Sequence, residues 1–221
     1  MNHSVYFSQR NIKKNYRSIT GHFPSIKNNT SIGFESKLEK AHFLSLEFDN
    51  EVISYQEQPQ IEICINGKNK IYSADCYIKR AKTSLKKDSI VEVKYTNEIE
   101  KRKDYFEKKF EAATISANKL NLDFEIYTEN IHSEIYLDNL DFLYRYKLQP
   151  IENKYEDQVL EIVNKNNKIS AFDLANLISE NPRAYGLISN CIWDLVCKEK
   201  LKTNLELSKI TMNSLLELSY E

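Results

Sequence analysis

The chain has few of the residues that build linkers and staples. Glycine and proline number four each in 221 residues, so long flexible connections are not expected. The four cysteines, Cys64, Cys76, Cys191 and Cys197, form no C-x-x-C pair, and no histidine stands at finger spacing from two of them. A zinc site is therefore not expected, and part-buried reduced thiols are. No apolar run reaches the roughly 18 residues needed to span a bilayer, and the N-terminus lacks the apolar stretch of a secretory signal. A cytoplasmic protein with no membrane partner is the expectation. Acidic residues are missing altogether from Met1 to Phe34.

That acid-free segment carries Arg10, Lys13, Lys14, Arg17 and Lys27, with Tyr6, Phe7, Tyr16 and Phe23 interleaved. A basic segment with aromatics can lie along phosphates, so 1–34 reads as a DNA-binding arm, the alternative being a solvated arm without a ligand. The rest of the composition, 41% apolar and 29% charged, is that of a globular protein with one large domain, or a medium domain and a small one.

Ser36 to Phe48 reads as a helix, with Leu38, Ala41, Leu44 and Phe48 near helical spacing. Ser36 and Glu39 form a capping-box pair at its start. Strand-like runs follow at Val52 to Gln56 and Gln60 to Ile65. The turn Asn66-Gly67 suits a tight hairpin, and Lys70 to Ile78 is read as its returning strand. Basic Lys79 to Lys87 reads as a loop and Ser89 to Tyr95 as a short strand. A single long helix is expected from about Asn97 to Leu120, buried through Tyr105, Phe106, Phe110, Ala113 and Ile115. A strand at Leu122 to Tyr127 and a helix at Ile131 to Tyr146 complete an α/β domain over 35–149.

Pro150 is the expected boundary, since proline stops a helix. Beyond it come helices at Glu156 to Val163, at Ala171 to Ser179 (capped by Ser170), and from Pro182 to about Lys198. A small hairpin at Lys200 to Leu205 and Ser208 to Met212 closes the chain. Three helices and a two-stranded ribbon are the order of a winged helix; any other small helical domain is the alternative for 150–221. This region holds eight Lys and Arg against eleven Asp and Glu. A domain gripping phosphates should be basic, so a protein-binding role is expected, with Trp193 in its core.

The chemistry is expected from Glu39 on the first helix, Asp75 in the returning strand, and Glu92-Val93-Lys94 on the next strand. Phosphodiester hydrolysis uses a divalent metal on oxygen ligands to neutralise phosphate charge and activate water. A nearby cation assists the crowded phosphate. Alternate strand residues share a face, so Glu92 and Lys94 point the same way, and the Val93 carbonyl is a further metal ligand. A plain Glu92–Lys94 salt bridge on a solvated strand face is the competing account. Against it, charges on a short Ile-Val-Val strand covered by a helix are costly unless paired or bound to metal.

Asp75 with Glu92-Val93-Lys94 resembles the D…(E/Q)-x-K signature of the restriction-endonuclease-like superfamily. A longer resemblance is to TnsA, the endonuclease subunit of heteromeric transposases. It runs through Asn15-Tyr16-Arg17-Ser18-Ile19-Thr20-Gly21, Phe34-Glu35-Ser36-Lys37-Leu38-Glu39, Phe43-Leu44-Ser45-Leu46-Glu47-Phe48, Tyr55-Gln56-Glu57-Gln58-Pro59, Ala74-Asp75 and Val91-Glu92-Val93-Lys94. The chain departs from relatives at Ala74 and Cys76, where Pro and Phe are usual.

The resemblance implies a restriction-endonuclease-like mixed sheet flanked by helices, with a winged-helix-like C-terminal domain. It implies Mg²⁺-dependent cleavage of the 5′ strand at transposon ends, with Mn²⁺ able to substitute. Asp75, Glu92, the Val93 carbonyl and Glu39 serve the metal, and Lys94 the nucleophile or the transition state. Glu35 rivals Glu39, and Glu47 and Glu57 are outer groups or surface acids. The implied partners are double-stranded DNA, a DDE-type transposase subunit and an AAA+ regulator. A non-catalytic adaptor on a nuclease scaffold, and a stand-alone restriction or repair nuclease, are the other readings.

Overall fold

The protein is described by a computed structural model, which covers residues 4–7, 19–149 and 154–219. It divides into two compact units, residues 1–131 and 132–221. Among the described residues no helix is long and apolar enough to cross a membrane.

The first unit is mixed α/β, as expected. It begins with β1 (Tyr6–Phe7), β2 (Gly21–Ser25) and β3 (Thr30–Phe34), followed by α1 (Lys37–Phe48). Residues 21–34 are therefore not an arm. β2 and β3 pair antiparallel, and the alternation of Phe23 and Ser25, with Ile32 and Phe34 opposite, buries one side of the hairpin. Phe23 meets Phe43 of α1, which stacks on Tyr55 with ring centroids 5.5 Å apart. Lack of acids suggests an exposed arm, but the period-2 apolar pattern decides the structure here.

Next come β4 (Val52–Glu57), β5 (Pro59–Ile65), β6 (Lys68–Ser73), β7 (Cys76–Arg80) and β8 (Ser89–Val93). The Asn66-Gly67 turn is present, both residues at positive φ (53° and 73°), as a tight two-residue turn requires. The expected single returning strand is two strands in two sheets. β6 pairs with β5, while β7 pairs with β4 and β8. The long hairpin turns a corner where Gln58 takes φ 51° on one side and Ala74-Asp75 lies between strands on the other. The corner keeps its backbone bonds: the Gln58 amide donates to the Asp75 carbonyl, Ala74 to Pro59, and Asp75 to Val91, at 3.0–3.2 Å. Asp75 is thus in a break rather than inside a strand.

All five residues of β8 are buried. The expected long helix is α2 (Thr96–Lys101) and α3 (Lys103–Lys119), separated at Arg102, whose φ and ψ (−132°, 38°) leave the helical region. Phe106, Ala112, Ala113 and Ala117 are the buried residues of α3, whereas Tyr105 and Ile115 are exposed. β9 (Asp123–Tyr127) then runs parallel to β8, a crossover that needs an intervening helix. The sheets are ordered β4-β7-β8-β9 and β1-β5-β6. α3 packs on β5 and β9, around a core including Ile61, Ile63, Tyr72, Ile90 and Ala113.

The second unit holds α4 (Glu134–Leu148), α5 (Glu156–Asn166), β10 (Ile169–Ser170), α6 (Ala171–Ile178), α7 (Pro182–Cys197), β11 (Leu201–Lys202) and β12 (Leu215–Leu218). Pro150 lies outside the described residues. α4, expected with the nuclease domain, packs on α7 instead: its apolar face, Leu140 and Leu143, is buried there, and Phe142 meets Trp193 edge-on at 5.6 Å. Ser170 and Asn181 cap α6 and α7, and Trp193 is buried.

The three strands pair in the order β10-β12-β11, so the expected ribbon is displaced: its second strand is 215–218, not 208–212. The reason lies on α4. Buried Asn139 donates to the carbonyls of Leu205 and Ser208 and accepts from the Ile210 amide, at 2.8–2.9 Å. Backbone groups that would have paired in a ladder are satisfied by one amide side chain.

Candidate active site

Glu39 occupies the first turn of α1. The Ser36 hydroxyl accepts from the Glu39 amide at 3.0 Å and donates to its Oε1 at 3.2 Å, while Glu39 Oε2 accepts from the Glu35 amide at 3.0 Å. Ser36 thus caps the helix, and the Glu39 carboxylate reaches back to the amide one residue before the cap, which fixes a buried carboxylate at a helix N-terminus. Glu35 is exposed and precedes the cap, so it does not share the helix face with Glu39.

Asp75 sits at the sheet corner beside β8. Its Oδ2 accepts the Val93 amide at 2.7 Å, and among the described residues its other oxygen has no hydrogen-bond partner. Burial first, then the negative charge of Glu92, pushes the Asp75 carboxyl up to about 7; the Val93 amide and Lys94 oppose this, and Glu39 adds to it. Glu39, Glu92 and Lys94 therefore each lie within electrostatic reach of Asp75.

Glu92, 3% exposed, is the last residue but one of β8. Its Oε2 accepts the Tyr72 hydroxyl, while Oε1 lies 3.1 Å from the Lys109 ammonium and 3.8 Å from that of Lys94. Burial and the Glu92 charge raise the Tyr72 pKa, so the phenol stays a proton donor. Lys94 follows β8, its amide bonded to the Tyr127 carbonyl at 3.0 Å, and its side chain is 27% exposed.

Among the described residues, no three His, Cys, Asp or Glu side chains form a group that could hold a metal ion. The donor set nonetheless fits a hard divalent cation. Such ions take oxygen ligands, carboxylates and carbonyls alike, and keep several waters. Asp75 offers an oxygen without a hydrogen-bond partner, in a pair of mutually repelling carboxylates that a cation would relieve.

The other site expectations fall elsewhere. Arg10, Lys13, Lys14 and Arg17 lie outside the described residues. Lys27 directs its ammonium to the carbonyls of Asp49 and, at 2.7 Å, Val52, where it satisfies the end of α1. Glu47 is buried and accepts from Ser25 and Tyr55. Glu57 ends β4 opposite Cys76.

Tyr72 and Lys109 were not anticipated. For Lys109 a signal existed: three residues after Phe106 and four before Ala113, it interrupts the buried stripe of α3 with a charge.

A family model described as TnsA-like endonuclease N terminal matches residues 49–129. The matched stretch includes Asp75, Glu92, Lys94, Tyr72 and Lys109, and leaves out Glu39 and the second unit. No curated protein matches the chain. Over residues 49 to 129 the chain is therefore similar to the N-terminal domain of TnsA-like endonucleases.

Proposed function

We propose that the chain is a Mg²⁺-dependent DNA endonuclease that cleaves the 5′ strand at transposon ends in concert with a DDE-type transposase. The observation that carries this reading is the corner at Asp75. It sets a carboxylate with one oxygen unpartnered beside Glu92 and Lys94, with Glu39 in electrostatic reach. Asp75, Glu92 and the Val93 carbonyl would hold the cation, or Mn²⁺ in its place, which when bound neutralises phosphate charge and activates water. The Val93 amide fixes the Asp75 carboxylate, and Tyr72 fixes that of Glu92. Lys94, the more exposed of the two lysines at Glu92, orients the attacking water or stabilises the developing charge. In-line attack by water on phosphorus leaves 5′-phosphate and 3′-hydroxyl ends. Arg10, Lys13, Lys14 and Arg17 would track the duplex.

The second unit supports a partner-binding role. From α5 onward its order of helix, strand, two helices and two paired strands suits a winged helix, and its excess of acids favours protein over DNA. The transposase subunit and an AAA+ regulator are the partners this reading calls for.

Asp75→Ala and Lys94→Ala are expected to lower end-nicking in the presence of a cognate DDE-type transposase by at least about 10²–10³-fold, with cooperative unfolding retained. Wild-type cleavage by both variants overturns the reading. A second reading, a non-catalytic adaptor, is favoured by the ion pairing of Glu92 with Lys109; it calls for no Mn²⁺ site at Asp75. Cleavage of bare plasmid by the pure protein would instead indicate a stand-alone nuclease.

A further inference from the structure

A carboxylate buried within a strand needs compensation. Glu92 has three sources: the Tyr72 hydroxyl, Lys94 and Lys109. Lys94 belongs to the D…(E/Q)-x-K pattern. Lys109 comes from a different element, α3, and is the closer cation, at 3.1 Å against 3.8 Å. Its side chain is only 17% exposed, and its ammonium lies 4.6 Å from the Tyr72 ring centroid and 5.8 Å from that of Phe106. Lysine in such a setting is held by charge and by two aromatic faces. The same residue lines a groove of about 480 Å³ between α3 and the β5–β6 hairpin, bounded also by Ile63, Ile71, Tyr105 and Asp104. That groove gives the ammonium somewhere to go.

We propose that Lys109 is a positioning residue that acts as a built-in counter-cation: it holds Glu92 Oε1 in the metal-free protein and competes there with the divalent ion. Tyr72 keeps Glu92 aimed while the Lys109 ammonium withdraws into the groove. The inference rests on Glu92 being a metal ligand. It adds that the affinity of the centre is set partly by a lysine 17 residues further along the chain. Competition of this kind discriminates against occupancy at low metal concentration and keeps the carboxylate pair from repelling itself apart when no ion is bound.

The test is a Mn²⁺ titration by calorimetry at pH 7.5 of the wild type, Lys109→Met, Lys109→Gln, Lys109→Arg and Asp75→Ala, with melting curves in EDTA and in Mn²⁺. Lys109→Met and Lys109→Gln are expected to bind Mn²⁺ about three- to tenfold more tightly than wild type. They should melt lower in EDTA and gain more from Mn²⁺, while Lys109→Arg stays within about twofold of wild type. A lysine that only supports packing would lower melting without tightening Mn²⁺ binding. Unchanged or weaker binding in the two neutral variants, with Asp75→Ala still losing it, overturns this inference alone. Undiminished Mn²⁺ binding by Asp75→Ala, or none by the wild type, overturns the metal-centre reading and this inference together. The Gln variant, which keeps a donor without the charge, decides the matter if the Met variant does not fold.

Discussion

Glu47, near the end of α1, and Glu92, near the end of β8, are both almost fully buried, at 1% and 3% exposure, yet their surroundings differ in kind. Glu47 accepts from the Ser25 hydroxyl at 2.6 Å, the Tyr55 hydroxyl at 2.7 Å and the Lys27 amide at 3.3 Å. These neutral donors come from β2, β4 and the turn after β2, so the carboxylate ties a hairpin, a helix and a strand into one body. Glu92 has one neutral donor, two lysines, and a second carboxylate, Asp75, whose proton is held up to about 7 by burial and by Glu92 itself. A buried acid surrounded by neutral donors strengthens the fold, whereas a buried acid that faces a second acid as well as two lysines keeps a repulsion that a divalent ion would relieve. That difference separates a structural carboxylate from a functional one without reference to any motif.

The largest effect expected on the structural side is from Glu47→Ala. It leaves the Ser25 and Tyr55 hydroxyls buried without their acceptor, at a loss of about 3 kcal/mol, readable as a lower urea midpoint with an unchanged slope. Mn²⁺ should restore none of it. Recovery of stability on adding Mn²⁺ would place Glu47 in the metal site and erase the contrast.

Asp75→Asn should act in the opposite direction. The Asp75 carboxyl binds its proton more tightly in the folded state, at about 7, than in the unfolded chain, near 3.9. The folded protein therefore holds a proton that the unfolded chain has lost between these values. The stabilisation is complete below about pH 4 and disappears as pH rises through about 7. In EDTA, wild type should lose stability on the order of 2 kcal/mol across that window and Asp75→Asn should not, making the variant the more stable protein at pH 8. Parallel pH profiles for the two, measured by urea unfolding, would show that Asp75 carries no such strain.

Much of this arrangement was legible before any coordinates. The Ser36 cap with Glu39 three residues on, the Asn66-Gly67 turn, the short strand at β8, the Ser170 cap and the helix start at Pro182 are local signals, set by neighbours in sequence, and each is present. What escaped is what distant residues decide. The corner at Asp75 exists because β6 and β7 pair in different sheets, which no window of alternating residues reveals. Asn139 displaces the C-terminal ribbon from 66 or more positions away. A single lysine on a long helix is ordinarily solvated, and only its place among Phe106, Ala113 and Ala117 marks Lys109 as inward.

The finest test of the contrast uses the two tyrosines, since each buried glutamate accepts one phenol: Tyr55 on Glu47 and Tyr72 on Glu92. Phenylalanine at either position removes one hydrogen bond to a charged acceptor and almost no volume, a loss of about 1–2 kcal/mol. For Tyr55→Phe the loss should be the same in EDTA and in Mn²⁺, because nothing at Glu47 changes when the metal binds. For Tyr72→Phe it should be smaller in EDTA, since Lys109 and Lys94 still face Glu92, while Mn²⁺ affinity should fall by a few fold, because a ligand free to rotate is less well prepared to bind. Equal stability losses, both indifferent to Mn²⁺, would mean that Glu92 is held for the sake of the fold, as Glu47 is. Divergence in the metal column alone would mean that Tyr72 aims the carboxylate rather than cementing the sheet.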